Sequence, residues 1–494
     1  MLNGRDTRMS RCLISLASLL AVVIAPASVL AQAAEVVKTN PTKVFMHYMP
    51  WFETPDTLGG NNWGYHWKFN NRNPNLVDET GKRQIASHYY PLIGPYASRD
   101  ADVIEYHLLL MKLSGVDGLL IDWYGQQGTN GDINNLLTSS NAVVDRVDNV
   151  GLDFGVVMED RFSANLNQGK ANVAYLRDHY FNQPNYIRLG AEQKPLLPVF
   201  GPITFQQESD WTQVLAQAGE PVDLLTLWYE SADAGSNAAG EYAWIYEDAA
   251  QDNHLTHQRN FYRIRAPQQG VAGGVAYPGF DDYYVEGGVG NVVPFEIPHD
   301  GGQTLDALLS LATTYANNVD FVQLATFNDF GEGTMFEPTI ETGFEYLKKV
   351  QQFTGVAYGE EELRLVHRLY LARKKYAGDA AIEGELDTVS DLLTNLQIGQ
   401  AEAALEAVAP RGDFDGDGDV DLNDYGVWSA SLGSQLALYG GGADGNQDGR
   451  VDAADYTVWR DSLALRNAAL ISVPEPATPA LAALATGAAL FSRR

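Results

Sequence analysis

Val116-Asp-Gly-Leu-Leu-Ile-Asp-Trp-Tyr124 is an apolar run of strand length that ends in an acid and two aromatics. Just before it, Asp102–Ser114 sets apolar residues at three- and four-residue spacing, the period of an amphipathic helix. The couplet recurs in both directions along the chain. Further strand-like runs lie at Val44–Pro50, Phe154–Glu159, Pro195–Phe200, Leu224–Glu230, Ala243–Tyr246, Gly274–Gly279 and Phe321–Phe327. Helical patterns fill Ala171–Tyr186, Trp211–Ala218 and Leu305–Asn317 between them. Strand and helix alternating in this way predict an α/β fold, a (β/α)8 TIM-like barrel over residues 38–358. A doubly wound sheet is the competitor, but no glycine-rich phosphate loop follows the first strand.

Barrel sites open at the C-terminal ends of the strands, so polar and aromatic residues should gather there. They do so at His47-Tyr48-Met49-Pro50-Trp51, Asp122-Trp123-Tyr124, Glu159-Asp160-Arg161 and Trp228-Tyr229-Glu230. Gly279-Phe-Asp-Asp282 and Asn328-Asp-Phe-Gly-Glu-Gly-Thr334 continue the series. A polar funnel rimmed by Trp and Tyr suits a sugar, whose apolar faces stack on rings while carboxylates and amides fix its hydroxyls. Tyr48, Trp228 and Tyr229 enter as sugar-binding candidates on this strand-end argument alone. Taken singly, each aromatic reads better as a core anchor, by about two to one.

Asp329 and Glu332 stand three apart beside glycines that let the loop turn inward. Glycoside hydrolysis takes two carboxyl groups, one protonated to help the leaving oxygen and one ionised. Close neighbours of this kind push their pKa values apart. Such a pair needs no cofactor for catalysis.

The 494 residues are 45% hydrophobic, enough for a sizeable core and about three units of ordinary size. A formal charge of −30 repels phosphate backbones, which argues against nucleic-acid partners and leaves neutral sugars and cations. The single cysteine, Cys12, excludes an internal disulfide or a zinc cluster.

Near the C-terminus a motif repeats at an offset of 31 residues, 444 − 413. Asp413, Asp415, Asp417, Asp419, Asp421 and Asp424 recur as Asp444, Asn446, Asp448, Arg450, Asp452 and Asp455. Gly418 and Gly449 hold the sixth position of each loop, and Tyr425/Tyr456 and Trp428/Trp459 keep the offset on the following helix faces. Oxygen donors at loop positions 1, 3, 5, 9 and 12, with glycine at 6, make two EF-hand-type Ca²⁺ sites. Position 7 gives its backbone carbonyl, so Asp419 and Arg450 are interchangeable there. Residues 410–466 thus form a small all-α calcium module, and 359–408 a connector of two amphipathic helices.

The two ends carry sorting information. Residues 1–33 have a basic start (Arg5, Arg8, Arg11), an apolar stretch from Leu13 to Val29 and small residues at Val29-Leu-Ala31 or Ala31-Gln-Ala33, the pattern of a secretory signal. Residues 473–494 run from Val473-Pro-Glu-Pro476 through an apolar segment to Arg493-Arg494. The protein is expected to be secreted or at the cell surface, transiently anchored through this tail.

Three resemblances follow from these residues. The tail resembles a PEP-CTERM signal, which implies recognition by an exosortase-type sorting enzyme. The paired loops, with Asp at position 12, resemble a dockerin type I module, which implies calcium-dependent folding and docking to a cohesin-like protein. Val44-Phe-Met-His-Tyr-Met-Pro-Trp51, Trp63-Gly-Tyr-His-Trp67, His88-Tyr-Tyr-Pro-Leu-Ile-Gly94, Gly115-Val-Asp-Gly118 and Asn328–Thr334 with Glu337-Pro338 resemble the glycoside hydrolase family 71/99-like group over about residues 43–350. That group implies a barrel enzyme cleaving internal α-linkages of a polysaccharide, α-mannan in family 99 and α-1,3-glucan in family 71. It implies Asp329 as the base on a sugar 2-hydroxyl and Glu332 as the acid/base, with Asn328 of the same motif, His66, Trp67, Trp123 and Glu159 lining the sugar groove. This sequence has Asp329 and Phe330 where family 99 has Glu and Trp. The alternative is a non-catalytic glycan-binding or surface-assembly protein using the barrel groove and the calcium module.

Overall fold

The computed structural model describes residues 33–247 and 253–472. The leader, apart from Ala33, and the Pro-Glu-Pro tail lie outside the described residues. In chain order the strands are β1 (Lys43–Tyr48), β2 (Gly118–Trp123), β3 (Asp153–Met158), β4 (Arg188–Leu189), β5 (Lys194–Pro198), β6 (Asp223–Leu227), β7 (Ala238–Tyr242), β8 (Val271–Ala276) and β9 (Phe321–Leu324). They form one curled sheet in the order β3-β2-β1-β9-β8-β7-β6-β5-β4. Every pairing is parallel except the short β4–β5 ribbon. Parallel bridges Phe154–Tyr186 and Met158–Val199 join the two sides of the curl, and Phe200 N–H donates to Met158 O at 2.9 Å. The (β/α) expectation is met in a TIM-like form.

Side chains alternate across each strand. One set, Phe45, Leu120, Val157, Leu196, Leu225, Tyr242 and Phe321, fills the lumen of the curl. The other packs outward against helices such as Ala101–Leu113, whose first turn is capped by Asp100 accepting from the N–H groups of Asp102 and Val103. Lumen-facing residues one step further along the strands therefore point into the mouth of the curl.

Three element boundaries differ from expectation. The strand expected at Ala243–Tyr246 lies at Ala238–Tyr242. Its pattern is hidden by small residues and by Glu241, a buried acid paired with Arg265. The helix expected at Ala171–Tyr186 is Leu166–His179, started by Asn165, whose side chain accepts from the N–H groups of Asn167 and Gln168. The connector is three helices, Glu360–Lys375, Ala380–Thr394 and Ile398–Val408, rather than two. Gly378 takes a φ of 92°, and Asp379 caps the helix that follows.

Beyond the connector, the repeat forms two loops, each followed by a helix, Leu422–Ser431 and Ala453–Ser472. Phe414, Val420, Ala443, Val451 and Trp459 make their shared core. Trp428 Nε1 donates to Asp452 O at 2.7 Å and Trp459 Nε1 to Asp421 O at 2.8 Å, a reciprocal brace between the halves. The module is not wholly helical, because Gln435 and Arg450 form an antiparallel bridge. It leans on the connector through Arg364 Nη1 to Gln447 O at 3.1 Å and a 3.0 Å bond between His367 Nε2 and Tyr439 O. No helix among the described residues is long and apolar enough to cross a membrane.

Candidate active site

The loop after β9 is fastened before it presents any acid. Asn328 accepts from Met49 N–H at 2.8 Å and donates to Met49 O at 3.0 Å and to Tyr96 Oη at 3.1 Å. Asp329 N–H donates to Thr326 Oγ1 at 2.8 Å, and Glu332 N–H donates to Asp329 Oδ1 at 3.0 Å. The turn between the acids requires glycine at its middle: a Cβ on Gly331 would stand 2.7 Å from Phe69 Cζ. Gly333 follows at a φ of 65°. Both carboxyls are thus held on one tight turn at the mouth of the curl.

Asp329 is only 4% exposed. Burial first, and the Glu332 charge second, hold its carboxyl well above the usual range. Burial also raises Glu332, opposed by Tyr284 Oη, which donates to Glu332 Oε1 at 2.7 Å. In a close pair raised in this way, ionising one acid opposes ionising the other. Glu159 lies in the same basin, raised by burial and opposed by Arg161, which grips it through two bonds of 2.7 and 3.2 Å. Asp122 on β2 is raised by burial and then by Glu159.

Tyr284 sets the poise of this couple. Its bond favours ionised Glu332, so Tyr284→Phe should move the alkaline limb of any activity profile upward, because Glu332 then keeps its proton to higher pH. A profile recorded from pH 4 to 10 checks this; an unmoved limb would detach Tyr284 from the couple.

The structure sorts the sequence candidates by side of the sheet. Asp329, Glu332 and Glu159 come together at the mouth. His66, on the loop after β1, stacks on Trp51 with centroids 3.9 Å apart and planes at 3°, and burial lowers its pKa to about 3. Asn328 is the clamp of the loop, its amide used on Met49 and Tyr96. Tyr48 faces outward, where its hydroxyl meets His107 Nδ1 at 3.1 Å. Trp67 is fully buried, donating to Tyr96 O at 2.8 Å and stacked on Phe52. Trp123 also faces the helix layer, against Tyr175 and Tyr180. Trp228 packs on Phe261 and Tyr246, and Tyr229 is exposed with Arg265 over its ring. Tyr48, Trp67 and Trp123 thus pack against other side chains of the protein and are not turned to the lumen; for Tyr48 and Trp123 the parity of the strand decides this. His47, neighbour of Tyr48, is the one turned inward, edge-on to Trp244 at 4.8 Å. Tyr284 and Arg161 were missed as well; counting by two from the lumen residues finds His47, but nothing in the sequence marks Tyr284.

Beside the loop lies a cavity of about 470 Å³, lined in part by Lys82, Arg83, His88, Tyr89 and Glu341. It adjoins the turn through Asp281, whose N–H donates to Glu332 O at 2.9 Å and whose carboxylate meets His88 Nδ1 at 3.0 Å.

The calcium loops form a separate candidate site. Asp413, Asp415 and Asp424 each offer an oxygen, all within 4.8 Å of one another. Gly418 and Gly449, at φ of 89° and 80°, make the sharp turns. Asp413 Oδ2 also meets Lys375 Nζ and Tyr376 Oη, both at 3.0 Å. In the second loop Asp444 accepts from Asp448 and Gly449 N–H, and Asp455 from Asn446 and Asp452 N–H. Hard oxygen donors on glycine-turned loops fit Ca²⁺. Leu422, Tyr425, Trp428, Tyr456 and Trp459 line a cleft of about 480 Å³ on the same module.

Residues 40–229 match the family model of glycosyl hydrolase family 99. The match runs from β1 through β6 and stops short of Asp329 and Glu332. The chain is similar to the glycoprotein endo-alpha-1,2-mannosidase of Mus musculus, 27% identical over 190 residues, covering 34% of this chain and 39% of the mouse protein. The Rattus norvegicus protein of the same name is 28% identical over 178 residues, covering 32% of this chain and 36% of the rat one. The chain thus spans well under half the length of these curated relatives. Among solved structures, the family 99 endo-alpha-mannosidase of Bacteroides thetaiotaomicron shares the fold, with a TM-score of 0.50 and 18% identity over 66% of this chain and 98% of that one.

Proposed function

We propose that the protein is a secreted glycoside hydrolase that cuts internal α-mannosidic bonds of a polysaccharide, with Asp329 and Glu332 as its acid–base couple. One observation carries the reading: two buried carboxyls, each raised by burial, are fixed on one turn at the mouth of a sheet whose first six strands match family 99. The names of the relatives favour mannan over α-1,3-glucan.

In the first step Asp329 removes the proton of the sugar 2-hydroxyl, and that oxygen attacks the anomeric carbon. Glu332 gives its proton to the departing glycosidic oxygen as the bond breaks. In the second step Glu332 takes a proton from water, whose oxygen attacks the anomeric carbon as the bond from that carbon to the 2-oxygen breaks. Asp329 returns a proton to the 2-oxygen, and the couple ends as it began. Tyr284, bonded to one Glu332 oxygen, leaves the other for the transferred proton.

The calcium loops hold two Ca²⁺ ions through Asp413, Asp415, Asp417, Asp421 and Asp424 and through Asp444, Asn446, Asp448, Asp452 and Asp455, with the backbone carbonyls of Asp419 and Arg450. Bound there, the ions would cross-link each loop. A cohesin-like partner for the module and an exosortase for the tail complete the proposal.

Incubation with α-1,2-linked, α-1,6-linked and branched α-mannan and with α-1,3-glucan, followed by product sizing, tests the activity. Shortened manno-oligosaccharides are expected. Binding without shortening of any chain would replace the enzyme by a glycan-binding protein.

A further inference from the structure

Beneath the acid pair, four neighbouring strands each send one polar side chain to the lumen side. Gln323 on β9, His47 on β1 and Asp122 on β2 follow by two residues the lumen-filling Phe321, Phe45 and Leu120. Glu159 follows Val157 in the same way just past β3. The registers make them an arc: Phe45 is paired with Gln323, His47 with Leu120, and Asp122 with Val157. Diagonal neighbours on one sheet face stand about 7–8 Å apart, within reach of long side chains. None of the four is more than 5% exposed.

Buried polar atoms in native proteins are almost always hydrogen-bonded. Asn328, equally buried, uses its amide fully on Met49 and Tyr96. By contrast Asp122 Oδ2 has no partner, and Gln323 and His47 find polar company only in each other. These open atoms share one face and lie below a turn that carries two acids. A polar ligand entering at the mouth would meet these atoms.

We propose that Gln323, His47 and Asp122 form a hydroxyl-binding floor for the sugar ring whose bond is cut, Asp122 and Gln323 each gripping a ring hydroxyl. The proposal rests on the glycoside hydrolase reading. The chemistry of the floor suits a neutral sugar. Gln323 is an amide, and burial lowers His47 to about 3, so its imidazole is uncharged. Asp122 faces Glu159, Asp329 and Glu332 against Arg161, with Tyr124 and Tyr242 behind it, and burial pushes its carboxyl up. That shift favours the protonated carboxyl, which can donate to a sugar oxygen. Ligand affinity should therefore fall as pH rises through the raised Asp122 pKa.

The test uses the full calcium-loaded chain carrying Glu332→Gln, titrated calorimetrically with an α-1,2-linked mannotetraose. Asp122→Ala and Gln323→Leu should each weaken binding by about tenfold, one or two lost hydrogen bonds. Asp122→Asn, which keeps an uncharged N–H donor, should stay within about threefold and lose the fall in affinity at high pH. Unchanged affinity in Asp122→Ala and Gln323→Leu, with the parent binding, overturns the floor and leaves the hydrolase reading standing. If Asp122→Ala fails to fold, the pH dependence of Asp122→Asn decides: a fall identical to the parent's overturns the proposal. If the parent binds no manno-oligosaccharide and the unsubstituted chain cuts none, the hydrolase reading fails and the floor fails with it.

Discussion

Asp329→Asn and Glu332→Gln should each lower the release of reducing ends from α-mannan by about 10²–10⁴-fold, the range for a positioned acid or base. Either amide preserves the shape of the turn, including acceptance of the Glu332 N–H by the side chain at 329. The loss therefore reports proton transfer and not collapse of the loop. Asp329→Asn should also make the protein more stable at neutral pH. In the folded state burial and Glu332 raise the Asp329 pKa, whereas in the unfolded chain it sits near its ordinary value of about 3.9. The folded state then binds the proton more tightly. The stability this provides is complete below the unfolded pKa and is lost as pH rises through the folded one. An amide has no proton to lose, so thermal melts of Asp329→Asn and the parent should converge in acid and separate as pH rises. Undiminished cleavage in either variant, or melts that separate in the opposite sense, would remove the couple from the site.

Chelation should open the segment 410–466 while the sheet stays folded. Eleven acidic side chains, Asp413, Asp415, Asp417, Asp419, Asp421, Asp424, Asp444, Asp448, Asp452, Asp455 and Asp461, crowd this small module, and its core is a handful of residues around Trp459. Without cations the repulsion is unrelieved. A ligand held a hundredfold above its Kd stabilises the bound form by about 2.7 kcal/mol per site, a large share of what a module of this size has. EGTA should therefore bring rapid tryptic cleavage at Arg411, Arg450 and Arg460 and a change in the fluorescence of Trp428 and Trp459, both reversed by Ca²⁺. Equal protease resistance with and without EGTA would show that the loops fold without metal.

Much of the fold was legible because the strands buried on both faces are apolar runs closed by abrupt polar ends, as at Leu119-Leu-Ile-Asp122. β7 was misread where a buried ion pair, Glu241 with Arg265, broke that pattern. The acid pair was legible from glycine spacing and strand-end position. The rest of the site depended on facts no linear reading carries. Tyr48 and His47 are adjacent and equally polar, and only the parity of the strand decides which meets the lumen. Tyr284 reaches Glu332 from a loop 48 residues away.

Asn328 has a consequence for when the protein becomes competent. Its amide brackets the backbone of Met49, 279 positions earlier, so the first and last strands must meet before the turn carrying both acids takes shape. Contacts that distant in sequence form late, after the entropy of closing the intervening chain has been overcome. A nascent or incompletely assembled molecule would hold its two acids on a loose loop, and the turn that fixes them would take shape only as the barrel closes.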